Sequence, residues 1–321
     1  MSIKIYTPEP KIQYISKISS LARILSVNSN DLLNISNNTQ KFYKQGKLIS
    51  KKNGEKRVTH DAKPNLKNIH EIIKNRLLKT VNYPFYLHGG IADPSIKRSC
   101  LSHAKTHINS HIIFQEDIAN FFPNTDKNTI KKTWKYLFNF SDEIAEILSN
   151  LTTHENMLPQ GWKTSGYLAN LVFWEKEAQL VSNLEKKNLS YSRFIDDIVV
   201  SSPCRINNNN KNFIISSIYN MLYHYGYEPK RSKHKISTRK DPMSITGLNI
   251  NPKFKSLTIS KSERNEARLA VYNLEKNYNR IEKEDYIRLW NSASGIIARI
   301  SLFHKKEAKT LREKINKVKL L

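Results

Sequence analysis

The sequence predicts an α+β chain, and three observations carry that prediction. Short apolar runs rich in β-branched residues ("HIIFQEDI", "LSYSRFIDDIVVSS", "SITGLNINPKFKSLTIS") read as strands. Between them lie stretches with apolar residues at helical spacing, such as Leu66, Ile69, Ile72, Ile73 and Leu77. From Lys261 onward the chain is charged and helical, with no strand signal.

Taken in order, residues 11–45 read as short helices: "ISKISSLARIL", then a cap at Asn30 or Asp31 before "LLNI". "LISKKNGEKRVTH" reads as a basic hairpin turning at Asn53-Gly54. After Pro64 comes the helical stripe just named, and "YPFYLHGGIADPS" is loop. "HIIFQEDIANFFPN" is a strand that carries Asp117 and closes on a Pro-Asn turn, and residues 126–151 read as helical. "MLPQGWKTSGYLANLVFWEKEAQLVSNLEKKN" is a turn opening into a long helix, and "LSYSRFIDDIVVSS" is two short strands about a tight turn. "CRINNNNKN" reads as a polar loop whose Asn run is a linker. "FIISSIYNMLYHYG" is a helix ended by Gly226, and "SITGLNINPKFKSLTIS" suggests another hairpin. No internal repeat is evident.

At 321 residues the chain exceeds one core of ordinary size, so two or three lobes are expected. Hydrophobic residues make up 39%, enough for a real core. The formal net charge of +25 opposes compaction unless a polyanion neutralises it. A single Lys-rich segment would be a solvated face. Here basic residues recur over Lys44–Arg57, Lys127–Lys135, Lys230–Lys240 and Lys305–Lys319, which fits nucleic acid better than one acidic protein partner. With only Cys100 and Cys204, a disulfide framework or Cys-rich zinc site is not expected, and a reducing cytoplasm is. "MSIKIYTPEPKIQYIS" lacks the apolar core of a signal peptide. No uncharged apolar run reaches the about 18 residues that a membrane span needs.

Strands are depleted in Asp, yet Asp196 and Asp197 interrupt an apolar, β-branched segment. Adjacent carboxylates repel, and a divalent cation is the simplest compensation. The plain alternative is a solvated Asp-Asp turn, but the flanks "RFI" and "IVVSS" put the turn on a sheet. Asp117, late in its own apolar strand, adds a third acid. Three carboxylates on neighbouring strand ends could hold two Mg²⁺ ions, which take oxygen ligands and share substrate phosphates. Two such ions roughly 3.5–4 Å apart serve in-line displacement at phosphorus. In a basic protein this suggests nucleotidyl transfer.

"FQEDIANFFPN", "LPQGWKTSGYLANLV" and "YSRFIDDIVVSS", in that order, resemble the palm motifs of reverse transcriptases, in particular the bacterial retron and group II intron-like branch. The match runs from about Leu48 to Ser301. The resemblance implies a right-hand polymerase fold. Its expected parts are an N-terminal helical extension (1–45), fingers (46–110), a palm of antiparallel sheet on helices (111–250) and a helical thumb (251–321). It implies that Asp117, with the carbonyl of Ile118, and the pair Asp196 and Asp197 hold the two Mg²⁺ ions. Phe122 matches the aromatic gate that excludes a ribose 2′-OH, and Phe121 beside it is expected in the core. Gln160 and Gly161 match the Pro-Gln-Gly element against the incoming nucleotide. Arg57 matches the fingers arginine that grips the dNTP triphosphate, as a bidentate guanidinium can, with Lys51 or Lys52 assisting. Lys233 aligns with the palm lysine that protonates or neutralises the leaving pyrophosphate, and Lys235 competes for that role.

Two further elements are similar to retron enzymes and imply RNA contacts. "HAKTH" (His103 to His107) stands where an Asn-Ala-x-x-His element is usual, with His103 in place of the Asn; against metal binding by the two histidines, structural hydrogen bonding is the safer reading, because no Cys or further His is grouped nearby. "ITG" (Ile245, Thr246, Gly247) stands where Val-Thr-Gly is usual, and "SGIIARISLFHKK" resembles a retron thumb segment. The departures are Phe194-Ile195 before the acids, where Tyr-Ala is common, and "TSG" in place of Thr-Ser-Pro. The implied function is an RNA-directed DNA polymerase that copies part of a dedicated structured non-coding RNA into DNA product, with dNTPs and a separate effector protein, in antiphage defence and away from membranes. No nuclease, RNase H or integrase segment is expected. The departures leave open a defence-associated enzyme with protein-primed or template-independent synthesis, or a diversity-generating one.

Overall fold

The computed structural model describes residues 4–50, 56–93, 96–251 and 253–318, and only the backbone of residues 45, 47–50 and 56–60. The chain divides into two compact units, Met1–Thr238 and Arg239–Leu321.

The first unit opens with helices α1 (Ile18–Leu25) and α2 (Ser29–Asn37). The cap of α2 is Asn28, ahead of the expected Asn30 or Asp31. Its extended backbone lets its side chain accept from Asn30 N at 2.8 Å, which satisfies one of the orphan donors of the first turn. Strands β1 (Tyr43–Ser50) and β2 (Lys56–Ala62) pair antiparallel, as the basic hairpin predicts, with an irregularity between Gln45 and Leu48. The Asn53-Gly54 turn lies outside the described residues.

Helix α3 (Pro64–Ile73) starts on a proline at its first position, where no N–H is needed, and runs into a π-helical turn at Lys74–Leu78. It buries Leu66, Ile69 and Ile73, as the stripe predicts. After α4 (Cys100–Thr106), capped by Ser99, comes β3 (Ile112–Asp117). The expected Pro-Asn turn is the short helix α5 (Phe121–Asn124) instead.

The helical stretch 126–151 breaks into α6 (Lys127–Lys132), a π-helical turn and α7 (Asp142–Thr152). Asn139, at φ 53°, turns the chain out of the helical region, and Ser141 recaps it. The expected long helix is likewise two, α8 (Ser165–Leu171) and α9 (Glu177–Glu185). Strands β4 (Ser190–Phe194) and β5 (Asp197–Ser202) form the hairpin about the acids. The Asn run is not a linker. Asn207 caps α10 (Asn208–His224), accepting from Asn210 N at 2.9 Å, and the run forms the first turn of that helix. Strand β6 (Lys235–Thr238) was not legible, because it is four residues long, half exposed and without alternation.

These strands form one antiparallel sheet in the order β4-β5-β3-β6. The central strands β3 and β5 are buried almost throughout, and α4 and α9 lie against β4. The core is one aromatic and aliphatic cluster that includes Phe114, Trp134, Phe138 and Phe173. An antiparallel sheet with helices against it is the α+β architecture the sequence predicts.

The second unit has a three-stranded antiparallel sheet, β7 (Met243–Ile245), β8 (Leu248–Asn251) and β9 (Ser256–Thr258), so the expected hairpin carries one more strand. Three helices follow: α11 (Lys261–Asn277), α12 (Lys283–Ser301) and α13 (Lys305–Lys317). Ser260 and Glu263 close a reciprocal capping box on α11. Val271, Leu274, Ile297, Leu311 and Ile315 are buried at helical spacing. Among the described residues no helix is long and apolar enough to cross a membrane.

Candidate active site

Residues far apart in the sequence meet at one end of the central sheet. Asp117 ends β3, and its register partner on β5 is Asp197. Phe194 pairs with Asp197, so β4 and β5 are joined by the two residues Ile195 and Asp196. The N–H of Ile118 donates to the carbonyl of Asp196 at 3.1 Å and ties the turn to the end of β3. The chain after α10 returns to the same place. Lys230 N donates to Asp117 O at 2.7 Å, and Ala119 N to Glu228 O at 2.8 Å. The short 3₁₀ helix Arg231–Lys233 then brings the Lys233 ammonium onto the Asp117 carboxylate. On the other face of β3, His234 Nδ1 meets Glu116 Oε1 at 2.6 Å, and the Tyr219 hydroxyl donates to Glu116 Oε2 at 3.3 Å.

The electrostatics follow from this crowding. Burial, followed by the charges of Asp196 and Asp117, pushes the Asp197 carboxyl up to about 7, and the opposing pull of Lys233 is too small to cancel it. Burial works against the charged form of Lys233, but its hydrogen bond and attraction to Asp117 prevail and raise it. Three carboxylates facing one ammonium leave an excess of negative charge on hard oxygen donors. Among the described residues no group of three or more His, Cys, Asp or Glu side chains forms a ready cage for a metal. Magnesium commonly takes only one or two carboxylates together with substrate phosphates, so the donor set fits it.

The turn that carries the acids is held in an unusual conformation. Ile195 has φ 60°, a left-handed backbone that is an outlier for a β-branched side chain. Its side chain rests on Gly89 and Gly90, where an added Cβ would come within 2.9 and 2.5 Å of it. Gly166 is as close on the other side, since a Cβ there would stand 2.9 Å from the Gly90 carbonyl oxygen. The two departures from the family pattern, Ile195 and the Gly of "TSG", thus fit one another around Gly90. The Asn170 amide donates to both Gly89 O and Gly166 O at 2.7 Å.

The remaining expected site residues divide as follows. Phe121 is in the core, stacked on Phe173 at 5.7 Å, and Phe122 beside it is partly buried. Gln160 is half-buried, and Gly161, exposed at φ 89°, sits in the turn before α8. The Arg57 side chain and residues Lys51 and Lys52 lie outside the described residues. Lys235 pairs with Gln115 in the β3–β6 register, whereas Lys233 reaches Asp117. Thr246 and Gly247 are the two central residues of the β7–β8 turn in the second unit, at φ 47° and 75°.

The expected RNA contacts at His103 and His107 are corrected. Both rings are buried, at 0% and 1% exposure. His107 is enclosed by the Ser201 and Ser192 hydroxyls at 2.7 and 2.6 Å, and His103 stacks on Phe194 at 5.7 Å. Burial holds both imidazoles well below their ordinary pKa, His103 down to about 3, so they are neutral and shielded from phosphates. They support the sheet beneath the acids. The sequence reading also passed over Arg193 and Glu177. An arginine inside an apolar strand was the available signal, since such a charge is rarely buried without a partner.

The family described as "Reverse transcriptase (RNA-dependent DNA polymerase)" matches residues 49–250. The retron Se72 reverse transcriptase of Salmonella heidelberg (strain 579083-10) is 32% identical over 95% of this chain and 80% of its own length. This chain belongs to the reverse transcriptase family, as a member of the retron type. The retron Ec48 reverse transcriptase of Escherichia coli is 27% identical over 81% of this chain, but the match spans only 65% of that relative. A telomerase structure from Candida tropicalis aligns with 98% of this chain and 58% of that one at 10% identity and a TM-score of 0.49, a likeness too weak to carry weight. As a reverse transcriptase the chain is an RNA-directed DNA polymerase, and its family uses divalent metal ions.

Proposed function

We propose that this reverse transcriptase copies part of a dedicated structured non-coding RNA into DNA by two-magnesium nucleotidyl transfer, as the polymerase of a retron that acts in antiphage defence with a separate effector protein. The observation that carries the chemistry is the register pairing of Asp117 with Asp197, with Asp196 in the adjoining turn. The proposed lobes keep the boundaries given above: extension 1–45, fingers 46–110, palm 111–250 and thumb 251–321. The retron context is supported by the family type and the names of its relatives, and a dedicated RNA by the basic residues spread along the chain.

In the reaction an RNA 2′-OH or a nucleic-acid 3′-OH attacks the α-phosphorus of a dNTP. The new O–P bond forms as the bond to pyrophosphate breaks. Bound at Asp117, Asp196, Asp197 and the Ile118 carbonyl, two Mg²⁺ ions would supply the positive charge that the triphosphate and the attacking oxygen need. The protein contributes position and charge rather than a covalent intermediate. Lys233 carries the proton or charge for the leaving pyrophosphate, and Arg57 grips the triphosphate. Phe122 closes the space a 2′-OH would need, and Gln160 and Gly161 lie against the incoming nucleotide. Thr246, Gly247 and the basic helices of the second unit contact RNA through its phosphates and 2′-OH groups.

Asp117→Ala and Asp196→Ala should each abolish dNTP incorporation while leaving RNA binding nearly unchanged, and incorporation retained by both would refute the assignment. Sequencing the nucleic acid that co-purifies with the wild-type chain tests the biological role. An RNA–DNA hybrid species is expected, and homopolymeric or repetitive DNA would overturn the retron reading.

A further inference from the structure

The hairpin that carries Asp196 and Asp197 turns through a residue that does not favour its own backbone. Ile195 is the first central residue of a two-residue turn and is the one with positive φ. A positive φ at this position is one that glycine adopts without strain. Left-handed backbone at a non-glycine residue persists only where the surroundings over-determine it.

Besides the packing of Ile195 on Gly89 and Gly90, one side chain holds this backbone from within the core. Arg193, two residues earlier on β4, is fully buried at 0% exposure. Its Nη1 donates to the Ile195 carbonyl at 2.9 Å. The rest of the guanidinium is fixed from the opposite side. Nε and Nη2 donate to the two carboxylate oxygens of Glu177 on α9, at 2.6 and 2.8 Å, and Nη2 also reaches Asn170 O at 3.2 Å. Glu177 is itself buried and accepts from the Tyr191 hydroxyl at 2.7 Å. The backbone of Arg193 is clamped as well, donating to Tyr86 O and accepting from His88 N, both at 2.9 Å. The planar fork of arginine can satisfy a carboxylate and a carbonyl together, which a lysine ammonium cannot do in this geometry.

We propose that Arg193 is a positioning residue for the acidic turn: with its buried counter-ion Glu177 it fixes the left-handed backbone at Ile195 and so sets where the Asp196 and Asp197 carboxylates stand. This rests on the nucleotidyl-transfer reading. The competing role is a plain staple between α9 and β4, with no bearing on the acids beyond stability. The two roles part at Ile195, because glycine adopts φ 60° without strain and a glycine turn needs no clamp.

The experiment compares Arg193→Lys, Ile195→Gly and the double variant in single-nucleotide incorporation on the full chain with its co-purifying RNA. Arg193→Lys should lower kcat by about 10- to 100-fold, the penalty for small displacements of catalytic groups, with KM for dNTP held within about twofold. Ile195→Gly alone is the reference for the double variant, since glycine holds a positive φ without the clamp. The double variant should recover most of the loss in kcat. A wild-type kcat in Arg193→Lys overturns the proposal. So does a loss that Ile195→Gly does not restore, which would leave the ion pair as a staple. If Arg193→Lys does not fold, Arg193→Met with Glu177→Leu removes the donor without leaving a buried charge unpaired, and the same outcomes decide. Asp196→Ala is run beside them. If it incorporates dNTP, the nucleotidyl-transfer reading has failed, whatever Arg193 does.

Discussion

Replacing Asp197 by Asn should change how stability depends on pH, in a direction set by the crowding of acids. In the folded chain the Asp197 carboxyl is pushed from 3.8 up to about 7 by burial and by its acidic neighbours. Between those values the folded state holds a proton that the unfolded state has released. This group therefore destabilises the fold as pH rises from about 4 to about 7. A shift of about three units corresponds to about 4 kcal/mol at 1.36 kcal/mol per unit, and sharing of the proton among three acids reduces the net effect to about 2 kcal/mol. For a unit of this size that is about 4–8 °C in the unfolding midpoint.

The assay is thermal unfolding of wild type and Asp197→Asn, without divalent metal, from pH 4.5 to 8. The two should nearly coincide at the acid end, and the variant should melt about 4–8 °C higher at pH 8. Millimolar Mg²⁺ at pH 8 should raise the wild-type midpoint more than that of the variant, because the ion relieves the same repulsion. Curves that stay parallel across the whole pH range would refute the electrostatic account of this site.

Two further outcomes are expected. Phe122→Ala should lower discrimination between dNTP and rNTP by up to about 10²-fold in single-nucleotide incorporation, the scale on which a pocket rejects an extra hydroxyl. An unchanged ratio would mean that the ring is no gate. Gly90→Ala introduces a Cβ 2.5 Å from Ile195 Cδ1 at a position with φ 71°, and should destabilise by about 1–3 kcal/mol in urea unfolding. Ile195→Ala in the same chain should restore part of that loss, whereas strictly additive effects would show that the two residues do not meet.

Much of the site was legible because its chemistry forces unusual residues into ordinary elements. Two acids inside an apolar strand segment and a third at the end of another are visible wherever strands are otherwise apolar. The Asn run shows the opposite case. Its composition reads as a linker, yet Asn is also a strong helix cap, and the buried stripe of Ile214, Ile218, Met221 and Leu222 decides for the helix. Strand β6 escaped because a short edge strand needs no alternating pattern when its partner β3 supplies the ladder. For the histidines only the RNA contact fails, because a motif position gives a residue type but not its burial, while the structural hydrogen bonding agrees with His107 between Ser192 and Ser201.

The class of the fold, the three acids, the order of the motifs and the basic character that suits a nucleic-acid partner are all readable along the chain. These depend on residue type and local spacing, which the chain displays directly. It took the three-dimensional packing to show that Asp117 pairs with Asp197, that Lys233 rather than Lys235 reaches the acids, and that Arg193 bridges Glu177 and the Ile195 carbonyl within the core. The same packing shows that Ile195 and Gly166 share the space beside Gly90. Each of these depends on strand register and on what stands opposite a side chain once distant segments meet, and a one-residue slip in register would reverse every facing.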